Sequence, residues 1–274
     1  MFPFAYHRPT DLDAACALLA GNDEAKLLAG GQTLIATLKQ RLASPSDLVD
    51  LARVPGLAGM SRAGDVLVIG AMTRHGEVAA SKLVRETIPA LAALAGLIGD
   101  PAVRNRGTIG GSIANNDPSA DYPAACLALD ATIRTDRREI PAGVFFLGLF
   151  ETALAPDEII LTVSFPIGGV ATYEKFPNPA SRYAMAGAFV WKGEGQGEGE
   201  VRVAITGAGQ GGVFRWAEAE AALAEDFSPA ALEGLALDGD EMIADIHGSG
   251  AYRAHLAGVM TKRAVARIVE RGSP

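Results

Sequence analysis

The pattern of apolar positions predicts a short helix and a small sheet in the first 70 residues. One helical face carries four apolar side chains: Leu12, Ala15, Cys16 and Leu19. Thr10 is placed to cap this helix. Residues 25–30 have the character of a buried strand, and apolar positions recur at helical spacing from Leu34 onward. Residues 47–51 and 66–70 are rich in aliphatic and β-branched side chains, which favours strands. We therefore expect one small sheet around residues 25–70.

Further along, the pattern changes character near Pro166. Before this residue we predict a helix over 83–98 and a segment poor in side chains over 107–112, and after it strands are followed by helices. The glycine-rich loop 193–199 has no apolar residue, which predicts a hairpin tip. The other predicted elements are a helix over 124–129, strands over 131–135, 158–165, 171–176, 184–192 and 201–206, and helices over 216–224, 229–237 and 252–271.

Composition and charge narrow the class of protein. The chain has 274 residues, with 24 lysines and arginines against 32 aspartates and glutamates, and a net charge of −8 at neutral pH. This length accommodates one large domain or two modest ones. Nucleic-acid binding depends on clustered basic side chains that displace counterions from phosphates. We therefore expect no nucleic-acid partner.

The sequence also gives no indication of a metal site or a membrane span. Cys16 and Cys126 are its only cysteines, too few for a four-thiolate cluster or a closed structural zinc site. The histidines lie far apart in the sequence: His7, His75, His247 and His255. The longest apolar run has about 12 residues, whereas a span needs about 20, and the N-terminus lacks a basic segment before an apolar stretch. We expect a soluble, cytoplasmic protein.

Two glycine-rich loops give the strongest indication of chemistry. Residues 30–33 (Gly-Gly-Gln-Thr) open a predicted helix, so their backbone N–H groups and the positive end of the helix dipole are available to an anion. Residues 108–112 (Thr-Ile-Gly-Gly-Ser) add two hydroxyl groups and further bare backbone, and a polar string follows over 115–121. We interpret the anion as a pyrophosphate, with Asp121 placed to accept from a ribose or ribityl hydroxyl. The alternative is that each loop is only a tight turn.

Other motifs give weaker predictions. Residues 207–212 match the GxGxxG spacing of a dinucleotide-binding loop, but the helix over 216–224 is not followed by the second strand of a βαβ unit. Neither double-glycine loop continues into the Gly-Lys-Ser/Thr of a P-loop. Lys175 and Tyr183 flank a proline-rich turn. They either reach a shared cleft or lie in solvent.

Three segments of the chain carry a family likeness. They are Ala29-Gly30-Gly31-Gln32-Thr33-Leu34-Ile35 with Lys39 and Arg41, the run from Asp100 through Arg104 and Arg106 to Ser112, and Asn116-Asp117-Pro118 through Asp121. Together they resemble the FAD-binding medium subunit of molybdenum hydroxylases, the carbon monoxide dehydrogenase and xanthine dehydrogenase group. The likeness covers nearly the whole chain. Thr33 and Ser112 stand where serine and asparagine are common in relatives, and both remain small and hydrogen-bonding.

The resemblance implies an α+β fold with two domains. Residues 1–168 would form an FAD-binding domain of the p-cresol methylhydroxylase type, with two lobes at about 1–54 and 55–168. Residues 169–274 would form a smaller domain of three antiparallel strands plus helices. FAD would lie between the two lobes.

The resemblance also implies which residues contact FAD. The two glycine segments would hold the pyrophosphate and nearby ribityl atoms, Asp121 would hydrogen-bond the cofactor, and Lys175 would lie beside the flavin. The implied set is Ala29, Gly30, Gly31, Gln32, Thr33, Leu34, Ile98, Thr108, Ile109, Gly110, Gly111, Ser112, Asp121, Ile160, Lys175 and Tyr183. Among these, Ile98 and Ile160 would pack against the cofactor and Tyr183 would lie near the isoalloxazine. Neither glycine loop contains His or Cys, so we expect noncovalent FAD.

The implied function is electron transfer within an oxidoreductase of several subunits. A large subunit would carry the molybdenum–pterin site, and a small subunit would carry two [2Fe–2S] clusters. This chain would take electrons from those clusters and pass them to an external acceptor, in a dimer of heterotrimers. No side chain of this chain would act as acid or base on the substrate, which the sequence does not identify. The alternatives are a self-sufficient small-molecule flavin dehydrogenase or oxidase, and a flavin-binding assembly protein without turnover.

Overall fold

The fold is given by a computed structural model that describes residues 1–193 and 199–272. The hairpin tip predicted over residues 193–199 lies largely outside these described residues. Helices and largely antiparallel sheets occur together along the chain, which confirms the predicted α+β class.

The first 54 residues form a parallel three-stranded sheet with two helices. The elements are β1 (Ala5–His7), α1 (Leu12–Ala20), β2 (Ala25–Leu28), α2 (Leu34–Lys39) and β3 (Asp47–Asp50). Strand β3 lies in the centre and pairs in parallel with β1 and β2. Ala15 and Leu19 of α1 share a small apolar core with Val49 of β3. This core places the turn after β2, which contains the first glycine segment, at the edge of the sheet.

Helix α1 begins one residue later than predicted. Asp11, not Thr10, is its N-cap, because the Asp11 carboxylate accepts a hydrogen bond of 2.8 Å from the backbone N–H of Ala14. Aspartate and threonine are both good N-cap residues. The apolar pattern therefore located the helix but did not choose between two neighbouring caps.

Residues 60–166 form an antiparallel sheet that packs with several short helices. The elements are β4 (Met60–Ala63), β5 (Val66–Gly70), α3 (His75–Ala80), α4 (Lys82–Thr87), α5 (Pro89–Gly96), α6 (Pro101–Arg104), α7 (Ile109–Asn115), α8 (Tyr122–Ala128), β6 (Thr132–Thr135), β7 (Glu139–Pro141), β8 (Phe146–Gly148), β9 (Glu151–Thr152) and β10 (Ile160–Pro166). The sheet order is β4-β5-β10-β6-β7, and β8 and β9 form a separate hairpin. Leu67, Ile113 and Phe165 are fully buried in the common core.

The prediction of a single sheet around residues 25–70 is wrong. Strands β2 and β3 belong to the first sheet, whereas β5 belongs to the second and pairs with β10. The apolar pattern identifies strands but not their partners, because pairing with a strand far along the chain depends on tertiary packing.

The single helix predicted over residues 83–98 is also wrong. The chain forms α4 and α5 with a break at Ile88, whose φ of −139° and ψ of 76° are not helical. Pro89 lacks a backbone N–H, and a proline restricts the backbone of the residue before it, so a helix stops there and a new one starts with Pro89 as its first residue.

The C-terminal part consists of one antiparallel sheet covered by a long helix. The elements are β11 (Val170–Pro177), β12 (Ala184–Lys192), β13 (Val201–Thr206), β14 (Phe214–Arg215), α9 (Ala217–Glu225) and α10 (Gly250–Gly272). The sheet order is β11-β12-β13-β14, so a two-residue strand is added to the three predicted ones. The predicted helix over 229–237 is only a 3₁₀ turn, Pro229–Leu232. Val190 and Val203 belong, with Met260 of α10, to a third apolar core, which is separate from the two described above.

Candidate functional site

A cavity of about 470 Å³ lies where the two N-terminal sheets approach each other. Its wall consists of residues from 25–34, from 107–121 and from 154–160, together with Ala71, Met72, His75 and Tyr183. Both glycine segments contribute to this wall, although they are far apart in the sequence. The tertiary fold therefore brings together the two loops that the sequence singled out.

The first glycine segment lies against the backbone of the two residues that precede the second one. A Cβ atom added to Gly30 would lie 2.4 Å from the carbonyl oxygen of Arg106 and 2.7 Å from Cα of Gly107. Such distances are shorter than any real Cβ contact, so only glycine fits at residue 30. Gly31 has a φ of +72°, a conformation that L side chains rarely adopt. These two positions explain why the sequence has a glycine pair here.

The first glycine segment retains the free N–H groups that the sequence predicts. Within residues 1–193 and 199–272, no hydrogen bond engages the backbone N–H groups of Gly31, Gln32 or Thr33. All three residues line the cavity. Backbone N–H groups without an internal acceptor favour an anionic ligand.

The second glycine segment differs from the expectation of bare backbone. The N–H groups of Ile109 and Gly110 donate to the carbonyl oxygens of Thr73 and Ala71, at 3.1 and 2.8 Å. The N–H of Gly111 donates to Oγ1 of Thr108, which caps α7. Ser112 also uses its N–H, to the carbonyl oxygen of Thr108. The N–H groups of residues 109–112 therefore already have acceptors within the chain. This segment contributes its backbone and the Ser112 side chain to the cavity wall.

Asp121 is the one carboxylate of the predicted set, and it is buried. It is 4% exposed and lies in the cavity wall. Its carboxylate accepts a hydrogen bond of 2.5 Å from the Tyr173 hydroxyl and one of 3.0 Å from Nζ of Lys175. Burial raises the pKa of the Asp121 carboxyl, and the Lys175 ammonium and the Tyr173 hydroxyl act in the opposite direction.

Most of the predicted site residues line the cavity, and three do not. Those in its wall are Ala29, Gly30, Gly31, Gln32, Thr33, Leu34, Thr108, Gly110, Gly111, Ser112, Asp121, Ile160 and Tyr183. Ile109 lies outside because its side chain is fully buried in the core, and Ile98 packs against the same core. Lys175 lies outside because it faces Asp121 with a side chain that is only 3% exposed.

Sequence reasoning did not place His75 and Glu158 at the cavity. His75 is 5% exposed, and Nδ1 of its ring has no hydrogen-bond partner within the described residues. Burial, with a smaller contribution from Arg104, lowers the pKa of His75 to about 4. The ring is therefore neutral at pH 7. An isolated histidine carries no spacing signal, so the sequence could not have shown its position.

Glu158 is held in a network at the base of the cavity. Its carboxylate accepts from Arg138 at 2.9 and 2.8 Å and from the Thr135 hydroxyl at 2.7 Å. The backbone N–H of Ala155 donates to it at 2.9 Å. These contacts lower the pKa of Glu158 to about 2, against the opposing effect of burial. Glu158 is therefore ionised at neutral pH.

The glycine motif at 207–212 has a structural role away from the cavity. The N–H of Gly207 donates to the carbonyl oxygen of Pro118 at 2.7 Å, and Gly209 forms a β-bridge with Met242. Helix α9 is followed by the 3₁₀ turn and not by a strand. The motif is therefore not part of a dinucleotide-binding βαβ unit.

Asn116 fixes the chain between two cavity residues, and this leads to a prediction on stability. It has a left-handed φ of 42°, and its Nδ2 donates to the carbonyl oxygens of Gly148 and Glu151 at 2.8 and 2.9 Å. We expect Asn116→Ala to lower the free energy of unfolding by about 3 kcal/mol, since the two hydrogen bonds contribute about 1 kcal/mol each and the left-handed backbone costs alanine about 1 kcal/mol more. Urea unfolding measures the change.

Asn116→Gly is the matched control because it loses the same hydrogen bonds without the strain. Equal losses in both variants would show that backbone strain contributes nothing.

These features are typical of a protein that binds a nucleotide cofactor. A position that only glycine fits lies next to backbone N–H groups without an internal acceptor, and the buried Asp121 carboxylate lines the same cavity. This combination suits the diphosphate and the hydroxyl-bearing chain of FAD. Within the described residues, no three His, Cys, Asp or Glu side chains come together as a metal site. In the same part of the chain, no helix combines the length and apolar character that crossing a bilayer requires.

Comparison with known proteins identifies the family. Residues 2–168 match the family described as the FAD binding domain in molybdopterin dehydrogenase. The chain is 37% identical to the carbon monoxide dehydrogenase medium chain of Hydrogenophaga pseudoflava, over 96% of each chain. It is 35% identical to the 6-hydroxypseudooxynicotine dehydrogenase complex subunit alpha of Paenarthrobacter nicotinovorans, over 99% of this chain and 96% of that one.

Solved structures agree with this result. A carbon monoxide dehydrogenase structure from Hydrogenophaga pseudoflava matches with a TM-score of 0.90 and 35% identity, over 100% of both chains. Quinoline 2-oxidoreductase from Pseudomonas putida 86 matches with a TM-score of 0.86 and 30% identity, over 98% of both. The chain therefore belongs to the family of FAD-binding medium subunits of molybdenum hydroxylases. This confirms the resemblance read from the sequence, the oxidoreductase class and FAD as the cofactor.

Proposed function

We propose that this chain binds FAD noncovalently in the cavity and works as the electron-transfer subunit of a molybdenum hydroxylase. The observation that carries the proposal is the first glycine segment, whose residues line the cavity and whose N–H groups have no acceptor within the described residues. Bound FAD supplies the capacity to accept electrons from one partner and release them to another. The chain's own residues hold the cofactor and determine which surface of it partners can reach.

Each part of the cavity has a distinct role in this proposal. The N–H groups of residues 31–33 hold the diphosphate, and the Ser112 hydroxyl adds a hydrogen bond. Asp121 accepts from a hydroxyl of the cofactor. Ile160 and Tyr183 provide apolar and aromatic contact. His75, neutral and buried, adds no charge next to the diphosphate.

The proposal includes two partner subunits. The related chains are named as medium chains or subunits, or as a component of a dehydrogenase complex. With two cysteines, this chain cannot bind a [2Fe–2S] cluster through four thiolates of its own. We assign the clusters to a small subunit and the molybdenum–pterin site to a large subunit, in a dimer of heterotrimers. Electrons pass from the clusters through this chain to an external acceptor.

The domain division is part of the same proposal. The family match ends at residue 168, which supports a boundary between residues 1–168 and 169–274. The separate sheets of the N-terminal part support lobes at about 1–54 and 55–168.

Titration of FAD into the purified full chain tests cofactor binding. We expect one FAD per chain, and we expect acid denaturation to release all of the flavin because no His or Cys lies in either glycine segment. A chain that stays colourless and leaves added FAD free would contradict the proposal. Flavin retained by the polypeptide after denaturation would contradict noncovalent binding alone.

Coexpression with a large and a small partner chain tests electron transfer. We expect the three chains to purify together, and we expect chemically reduced small subunit to bleach the flavin absorbance of this chain. The small subunit added to this chain without FAD is the control. Substrate turnover by this chain alone would instead support a self-sufficient flavin dehydrogenase.

A further inference from the structure

Lys175 forms a buried pair with Asp121 behind the cavity wall. Its side chain is 3% exposed, and that of Asp121 is 4% exposed. Nζ of Lys175 lies 3.0 Å from the Asp121 carboxylate and 3.1 Å from the carbonyl oxygen of Leu97. Asp121 lines the cavity and Lys175 does not. Lys175 is therefore connected to the cavity wall through its contact with Asp121.

We propose that Lys175 is a positioning residue, which keeps Asp121 ionised and oriented at the cavity wall and does not itself contact the cofactor. This inference rests on the proposed function, because it assigns Asp121 to FAD. A buried carboxylate without a paired charge is strongly disfavoured and takes up a proton instead. The Lys175 ammonium opposes this protonation and lies 3.0 Å from both carboxylate oxygens, and the Tyr173 hydroxyl donates to Oδ1.

The surroundings of Asp121 contain few other groups that could replace Lys175. Strand β11 presents Tyr173 and Lys175 to the carboxylate. Helix α8 carries Tyr122 and Cys126, and burial raises the pKa of both side chains, so both are neutral. Helix α5 has no titratable side chain, and the Leu97 carbonyl that follows it accepts from Lys175. Arg202 of β13 reaches α8 only at its far end, where it donates to the carbonyl oxygen of Ala128. Lys175 is therefore the one cation that these described contacts place on Asp121.

The first test measures stability without FAD. Burial already raises the pKa of Asp121 in the wild type, and in Lys175→Met the ammonium that opposes this shift is lost, so the folded pKa rises further above the value in the unfolded chain. A carboxyl with a raised folded pKa stabilises the native state at low pH, and this contribution is lost as pH rises. We therefore expect the thermal midpoint of the variant to decrease more steeply than that of the wild type when the pH is raised from about 6 to about 9. Asp121→Asn combined with Lys175→Met should remove this extra slope.

The second test measures the dissociation constant for FAD in the same variants. We expect Lys175→Met to bind FAD at least about tenfold more weakly at about pH 6 than at about pH 9. At the lower pH the Asp121 carboxyl is protonated and is a weaker hydrogen-bond acceptor for a hydroxyl of FAD. We expect the wild type and the double variant to show no comparable change. In the double-mutant cycle, Lys175→Met should add no further loss to Asp121→Asn. Lys82→Met, an exposed lysine on α4, is the matched control and should behave as the wild type.

The outcomes separate the possible roles of Lys175. A loss of FAD affinity that is equal at all pH values and adds to that of Asp121→Asn would overturn the proposal, because it indicates direct contact of Lys175 with the cofactor. An unchanged pH dependence of both stability and affinity would overturn it as well. If Lys175→Met fails to fold, recovery of folding by Asp121→Asn supports the coupling, and failure of the double variant to fold contradicts it. If the wild type does not bind FAD, the proposed function fails, while the stability test still reports on the buried pair.

Discussion

Gly30→Ala should nearly abolish FAD binding and destabilise the chain. The added methyl group would have to occupy space now held by the carbonyl oxygen of Arg106 and by Cα of Gly107. Both are backbone atoms, so no side chain can rotate away, and the two glycine segments must move apart. Overpacking of this kind costs about 1–3 kcal/mol and sometimes more. Since the cavity wall is formed by both segments together, we expect the dissociation constant for FAD to rise at least about 100-fold, which corresponds to about 2.7 kcal/mol.

Two other glycines provide matched controls for this prediction. A Cβ on Gly211 would meet no atom within 4 Å, so Gly211→Ala should leave stability and FAD binding unchanged. A Cβ on Gly209 would lie 2.7 Å from the carbonyl oxygen of Gly212, away from the cavity. Gly209→Ala should therefore lower the free energy of unfolding but leave the FAD affinity of the folded chain intact. Urea unfolding and FAD titration measure both quantities. Wild-type affinity in a folded Gly30→Ala variant would show that the contact between the segments is not needed for binding.

Glu158→Gln should lower the free energy of unfolding by about 3 kcal/mol at pH 7, an effect that depends on pH. Contacts with Arg138, Thr135 and Ala155 lower the pKa of Glu158 from 4.5 to about 2. One pKa unit corresponds to about 1.4 kcal/mol. A carboxyl whose folded pKa is depressed stabilises the native state fully above its unfolded pKa, and the contribution disappears as pH falls through the folded pKa. The difference between wild type and variant should therefore shrink to less than half at about pH 3.

An exposed glutamate serves as the control for this experiment. Glu86 is 62% exposed and lies 3.6 Å from Lys82 on the same helix. Surface pairs of this type contribute at most about 1 kcal/mol, so Glu86→Gln should change stability little at any pH. Chemical unfolding of the three proteins from about pH 7 to about pH 3 measures the difference. A difference for Glu158→Gln that stays constant over this range would show that the ionised form of Glu158 is not what stabilises the fold.

Local features of the sequence predicted a large part of the structure. Strands β12 and β13 occupy the residues that apolar character indicated, 184–192 and 201–206. The first glycine segment lines the cavity, and the N–H groups of residues 31–33 have no acceptor within the described residues. These features depend on the spacing of apolar residues and on the backbone conformation of a few adjacent residues. Both can be read from consecutive positions of the chain.

Other expectations failed because they required knowledge of distant contacts. The N–H groups of the second glycine segment bond to Thr73 and Ala71, which lie in a different part of the chain. The contact of Lys175 with Asp121 also joins residues that are far apart in the chain, so the sequence could not show it. His75 and Glu158 reach the cavity wall through tertiary packing that the sequence does not show.

The sequence by itself indicated the class of this protein, because the two glycine segments and the polar run that ends at Asp121 resemble the FAD-binding medium subunits of molybdenum hydroxylases. Only the tertiary structure decided that Gly30 packs against Gly107, that β5 pairs with β10, and that Lys175 donates a hydrogen bond to Asp121. The physical reason is that glycine, apolar spacing and charge are properties of single positions, whereas packing contacts and buried ion pairs exist only between residues that folding brings together.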